Sequence, residues 1–163
     1  MIAVELLSTI FKASGIKLPI TSLFQNATIA KQAKLLETKT EIEGKKWTSL
    51  VPIKPQGAKQ PLYLVHGGGL HVLFYQSLVR HLDEDQPIYA LQAQGLDGTS
   101  EPLETIESMA THYINEILDQ NPQGPFHLAG YSLGGLIAFE MAKQLKTMGK
   151  EVGIVSLLSI IHI

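Results

Sequence analysis

The chain has 163 residues, 45% of them hydrophobic and 17% charged, with a formal net charge of −2 and no cysteine. That composition is globular rather than disordered. It lacks the basic stripe that a nucleic-acid partner requires, and the missing thiols exclude disulfides and metal–thiolate sites.

No basic leader with a small-residue cleavage site opens the chain. The most apolar run, Val152 to Ile163, is broken by Ser156, Ser159 and His162, and it is shorter than the roughly 20 residues that span a bilayer. The expectation is a cytoplasmic protein with neither a membrane nor a nucleic-acid partner.

The first region runs to about residue 37. Ile2, Leu6 and Ile10 recur at four-residue spacing, as do Ala3, Leu7 and Phe11, which predicts one helical stripe ended by Gly15. Pro19 and a short Thr21–Asn26 segment follow. Thr28 reads as the N-cap of a helix through Leu36. Residues 38–48 sit in a polar, charged stretch without apolar period and read as a linker.

From residue 49 onward strand-like and helix-like runs alternate. Leu62–Val65 is strand-like and ends in glycines. Tyr75, Leu78, Val79 and Leu82 form a helical stripe. Ile88–Leu91 is strand-like, and Ile106, Met109, Ala110, Tyr113, Ile114 and Ile117 mark a stronger helix. Phe126–Ala129 predicts a strand. A helix from Leu133 to about Met148 follows, with Lys143 and Lys146 near its end and Gly149 as its cap. Val152–Leu158 predicts a last, buried strand. This alternation implies an α/β fold: a parallel sheet with helices on both faces.

Two motifs carry chemistry. Gly130-Tyr131-Ser132-Leu133-Gly134 is a G-x-S-x-G sequence between a strand and a helix, the setting a nucleophile elbow needs. A tight turn there holds the Ser132 hydroxyl above the sheet edge. Gly130 and Gly134, without Cβ atoms, let strand and helix approach. The second motif, His66-Gly67-Gly68-Gly69, directly follows the Leu62–Val65 strand. Such a loop can aim a backbone N–H, here that of Gly68, at a carbonyl oxygen under attack, with the N–H of Leu133 as the second oxyanion donor.

The other candidates read as structural. His66 orients its loop, His71 is a solvated helix-start residue, His81 and His112 are surface residues within helices, and His127 is a packed strand residue. Asp97 reads as turn chemistry. Metal-ligand spacing, a P-loop and a dinucleotide fingerprint are missing.

The run Tyr63–Gly69, the segment Ala90–Gly98 and the elbow Phe126–Gly135 together resemble the type I thioesterase domains that close nonribosomal-peptide and polyketide synthetases, members of the α/β-hydrolase family. The segments Leu6–Pro19 and Leu23–Ala30 resemble the last three helices of a peptidyl carrier domain. The resemblance implies carrier-type helices over residues 1–37, a linker over 38–48, and the N-terminal half of a thioesterase domain over 49–163, a partial α/β-hydrolase fold preceded by a helical carrier remnant.

It also implies a serine acyl-enzyme at Ser132. The substrate would arrive on the phosphopantetheine arm of a carrier domain, no cofactor would be bound directly, and the partners would be an acyl or peptidyl carrier domain and other synthetase modules. Three family features find no match in these residues. The attachment serine would fall at or before Met1. The triad acid is expected near Ser159, yet no Asp or Glu follows Glu151. The family histidine belongs to a later loop than His162. The expectation is therefore a thioesterase-type acyl hydrolase or transferase fragment, short at both ends and impaired in turnover. The alternatives are a non-catalytic synthetase remnant or docking module, and a generic serine esterase.

Overall fold

The computed structural model describes residues 2–16, 18, 22–26, 28–37, 48–96 and 100–158. The chain divides into two compact units, Met1–Trp47 and Thr48–Ile163.

The first unit holds three helices: α1 (Ile2–Ser14), α2 (Ser22–Gln25) and α3 (Ile29–Glu37). Helix α1 stops at Gly15, which adopts φ 72°. The Thr28 hydroxyl accepts from the Lys31 amide at 3.3 Å, the N-cap bond expected for α3. Gln32 joins α3 to α2: its side-chain amide donates to the carbonyls of Ser22 (2.8 Å) and Asn26 (2.7 Å). The linker expected over 38–48 lies, apart from Thr48, outside the described residues.

The second unit is built on a five-stranded sheet: β1 (Leu50–Lys54), β2 (Leu62–Val65), β3 (Ile88–Leu91), β4 (Phe126–Tyr131) and β5 (Val152–Leu158), in the order β1-β3-β2-β4-β5. Three helices connect them: α4 (Tyr75–Val79), α5 (Ile106–Gln120) and α6 (Leu133–Thr147). Helices lie on both faces of the sheet. Strands β3, β2, β4 and β5 run parallel.

The sheet as a whole is mixed, because β1 pairs antiparallel with β3. This strand was not foreseen. Pro52 lacks a ladder donor and marks the edge position such a strand tolerates.

The core lies between the sheet and helices α5 and α6. Tyr63, Val65, Leu91, Phe126 and Leu128 from the strands meet Tyr113, Ile117, Ile137, Met141 and Leu145 from the helices. Helix α5 starts at a capping box in which Thr105 and Ser108 exchange side-chain and backbone hydrogen bonds. Helix α6 ends in a Schellman arrangement. Gly149, at φ 72°, donates to Lys146 O and Lys150 donates to Leu145 O, which satisfies two carbonyls of the last turn.

Strand β5 differs from expectation. It is not buried: Ile154, Leu157 and Leu158 are exposed. Its apolar composition signals pairing with β4, whereas burial requires cover on both faces and a neighbour on its far side.

Candidate active site

Strand β4 leads straight into the serine. Ser132 adopts φ 55° and ψ −118°, a left-handed conformation that a side-chain-bearing residue enters at a cost of about 1–3 kcal/mol. The surrounding backbone over-determines it. The Ser132 amide donates to Leu158 O at the end of β5 (2.8 Å), and the Ser132 carbonyl accepts from the Gly135 amide (2.9 Å).

Two glycines make the turn possible. A Cβ on Gly130 would overlap the carbonyl of Gly134, and a Cβ on Gly134 would overlap the carbonyls of Val65 and His66. The Ser132 hydroxyl makes no capping bond to α6 and is exposed. It therefore stands at the positive end of a 15-residue helix.

The glycine loop lies against this turn. A Cβ on Gly67 would come within 3.0 Å of the Tyr131 ring and 3.1 Å of the Tyr131 carbonyl, so the loop packs on the residue before the serine. Two short bonds fold the loop, Leu70 N–H to Gly67 O (2.9 Å) and His71 N–H to Gly69 O (2.8 Å). The turn carries Leu70 at φ 65°.

His66 anchors the loop from below. It is fully buried, with Nδ1 2.8 Å from Gly67 O and Nε2 2.8 Å from the Tyr113 hydroxyl. The carbonyl can only accept, so Nδ1 carries the proton, and Nε2 accepts from the phenol. Burial pushes the His66 pKa down, partly opposed by the bond to Gly67 O, and raises that of Tyr113. Both groups are thus held neutral, the state this bonding pattern requires.

Among the described residues, the amides of Gly68 and Leu133 have no acceptor, and the Ser132 hydroxyl has no hydrogen-bond partner. None of the described histidines pairs with Ser132. Ser159 and His162, where the sequence raised the questions of acid and base, lie outside the described residues, as does Asp97.

A different Ser–His–Glu group does assemble, in a place the sequence did not suggest. Ser49 Oγ lies 3.1 Å from His112 Nε2, and Glu116 Oε1 lies 3.3 Å from the same nitrogen. Both contacts fall on one nitrogen, so the ring cannot take a proton from the serine while the acid steadies its other side, which a triad requires. Ser49 is also fully buried. The group is a staple: the Glu116 carboxylate accepts the amides of Ser49 (3.0 Å) and Leu50 (2.6 Å), tying the start of β1 to α5.

His112 is therefore not the simple surface residue expected, because it is half-buried and bonded to Ser49, the residue before β1. His81 falls just beyond α4, in a turn, since that helix ends at Val79. His71 is half-buried against Phe74, with ring centroids 6.2 Å apart, rather than solvated. Two tyrosines that frame the site, Tyr75 and Tyr113, read from the sequence only as members of helical stripes. Their signal was chemical: a phenol in a buried helical stripe needs a polar partner, and both partners lie beside the glycine loop or the elbow.

Among the described residues no group of three or more acidic or histidine side chains could hold a metal ion. No helix among them is long and apolar enough to cross a membrane.

The chain is 38% identical over 159 residues to malpinin synthetase of Mortierella alpina, and 38% identical over 158 residues to a dimodular nonribosomal peptide synthase of Bacillus subtilis. Each match takes in 97% of this chain but only 2% and 7% of the relative.

Among solved structures, a four-domain nonribosomal peptide synthetase bound to AMP and glycine matches over 93% of this chain and 11% of its own, with 34% identity and a TM-score of 0.63. The NocB thioesterase domain, in covalent complex with a fluorophosphonate nocardicin G analogue, matches over 66% of this chain and 48% of its own, with 31% identity and a TM-score of 0.62. The thioesterase domain model itself matches residues 60–162, the stretch that carries both the glycine loop and the elbow, and the chain belongs to the thioesterase domain family.

Proposed function

We propose that Ser132 is the nucleophile of an acyl-transfer site, and that the amides of Leu133 and Gly68 are its oxyanion donors. The substrate class is an acyl or peptidyl chain held as a thioester on the phosphopantetheine arm of a carrier domain. The observation that carries this reading is the strained Ser132 turn, glycine-flanked and seated against the His66–Gly69 loop. Attack of the hydroxyl oxygen on the thioester carbonyl would form the ester and expel the carrier thiol. Water or an internal nucleophile would then release the chain as an acid or a macrocycle. Each oxyanion donor is worth about 3–4 kcal/mol in such a step.

The kinship to synthetases supports a carrier domain and other synthetase modules as partners. In this reading α1 to α3 are carrier-type helices, residues 1–37, followed by a linker over 38–48 and the thioesterase unit from residue 49. No cofactor is bound directly.

A serine hydroxyl without a positioned base is a poor nucleophile, and Ser132 has no base among the described residues. Loss of triad members costs on the order of 10⁴–10⁶ in turnover. The proposal is that this chain transfers acyl groups slowly and turns over little. The test is hydrolysis of a carrier-bound acyl thioester by the chain and by Ser132→Ala. Fast turnover that the substitution abolishes would show that a base completes the site. Turnover that the substitution leaves unchanged would remove Ser132 from the reaction.

A further inference from the structure

One hydroxyl ties together the three backbone segments that build the site. Strands β2 and β4 run side by side to the pair Val65–Gly130 and then part, β2 into the glycine loop and β4 into Tyr131 and the elbow. At that fork stands the phenol of Tyr75. It donates to Val65 O at 2.7 Å and accepts from the Tyr131 amide at 3.1 Å.

Tyr75 is also where the loop ends. Ten residues after Val65, it opens α4, and its own amide donates to Val72 O at 3.1 Å. The loop thus leaves Val65 and is returned to the Val65 carbonyl by the phenol at its far end. That phenol also holds the residue next to Ser132.

We propose that the Tyr75 hydroxyl is a positioning group of the acyl-transfer site, fixing the spacing between the glycine loop and the Ser132 elbow so that both oxyanion donors meet one substrate oxygen. The inference rests on the assignment of Ser132 and of the two amides made above.

Three observations support it. First, the bridge has a direction, donating to one strand and accepting from the other, which an apolar ring of the same shape cannot do. Second, Tyr75 is 2% exposed and its ring lies 4.1 Å from that of Phe74, so the hydroxyl has no freedom to leave the fork. Third, burial raises the pKa of the phenol, which keeps the proton needed for the Val65 bond at neutral pH. Removing the oxygen leaves a carbonyl and an amide facing each other across a gap. The strands must close on each other or stay apart with both groups unpaired, and either changes the spacing. A displacement of about 1 Å in a site of this kind costs on the order of 10²-fold in rate.

The experiment compares wild type with Tyr75→Phe by saturation labelling with an alkyl fluorophosphonate, together with backbone amide hydrogen exchange. The expected result is a maximal labelling rate at least ten-fold lower in the variant, with the half-saturating probe concentration within two-fold, and faster exchange at Tyr131, Leu70 and His71. A maximal rate within two-fold of wild type would overturn the inference, and so would a loss confined to the half-saturating concentration. Failure of wild type to label at Ser132 would count against the nucleophile assignment. The exchange arm then decides on Tyr75: loosening at both loop and elbow supports it, and unchanged protection overturns it. Should Tyr75→Phe not fold, wild type alone is decisive. Strong protection of the Tyr131 amide supports the bridge, and exchange as fast as in an exposed loop refutes it.

Discussion

Gly134 and His66 meet backbone to backbone: a methyl group on Gly134 would overlap the His66 carbonyl, and that of Val65 as well. The first turn of the elbow helix is thereby pressed onto the start of the glycine loop. Gly134→Ala should force the two apart and lower stability by about 1–3 kcal/mol, the usual cost of overpacking. Gly68 provides the contrast, since a Cβ there meets nothing within 4 Å. Gly68→Ala should change stability by less than about 0.5 kcal/mol. Urea unfolding of both variants checks this, and equal effects would contradict the contact.

His66 supplies a pH dependence whose sign follows from its burial. Its pKa is lowered from 6.5 in the folded chain, so the unfolded chain binds the proton more readily. The neutral ring bonded to Tyr113 and Gly67 contributes stability that is fully present above about pH 6.5 and lost as pH falls toward the lower folded value. Unfolding measured at pH 8 and again below pH 6 should show wild type losing more stability than His66→Gln. Equal losses would mean that the ring is not held neutral in the fold.

The Ser49–His112–Glu116 group should behave as a staple and not as a catalytic triad. Glu116→Ala leaves the amides of Ser49 and Leu50 without their acceptor and should cost about 1–3 kcal/mol of stability. Ser49→Ala should leave labelling of Ser132 intact. Peptide mapping of a labelled Ser49→Ala protein checks it, and loss of the adduct would promote Ser49 to a catalytic role.

The candidate site was legible in the sequence where chemistry and local geometry coincide. A serine between glycines, after Phe126–Ala129 and before the Leu133 helix, encodes its own turn, and strands β2, β3 and β5 were marked by short apolar runs with sharp ends. What escaped depends on distant partners. Strand β1 carries Pro52 and only four other residues; it pairs with β3, and its start is held to α5 by bonds to Glu116, more than 60 positions away. The exposure of β5 could not be read from its composition, because Ile154 and Leu157 look alike whether covered or open. Tyr75 and Tyr113 read only as members of helical stripes because their rings are buried like their apolar neighbours. Their hydroxyls act on Val65, Tyr131 and His66, and no local pattern connects those positions.

The central claim is that the strained Ser132 hydroxyl receives an acyl group from a thioester. The most direct measurement is intact mass and peptide mapping after incubation with an acyl thioester, on wild type and on Ser132→Ala. The account predicts a single acyl adduct that forms slowly, maps to Ser132 and is absent from the alanine variant. An adduct on another residue, or one of equal yield in Ser132→Ala, would contradict it.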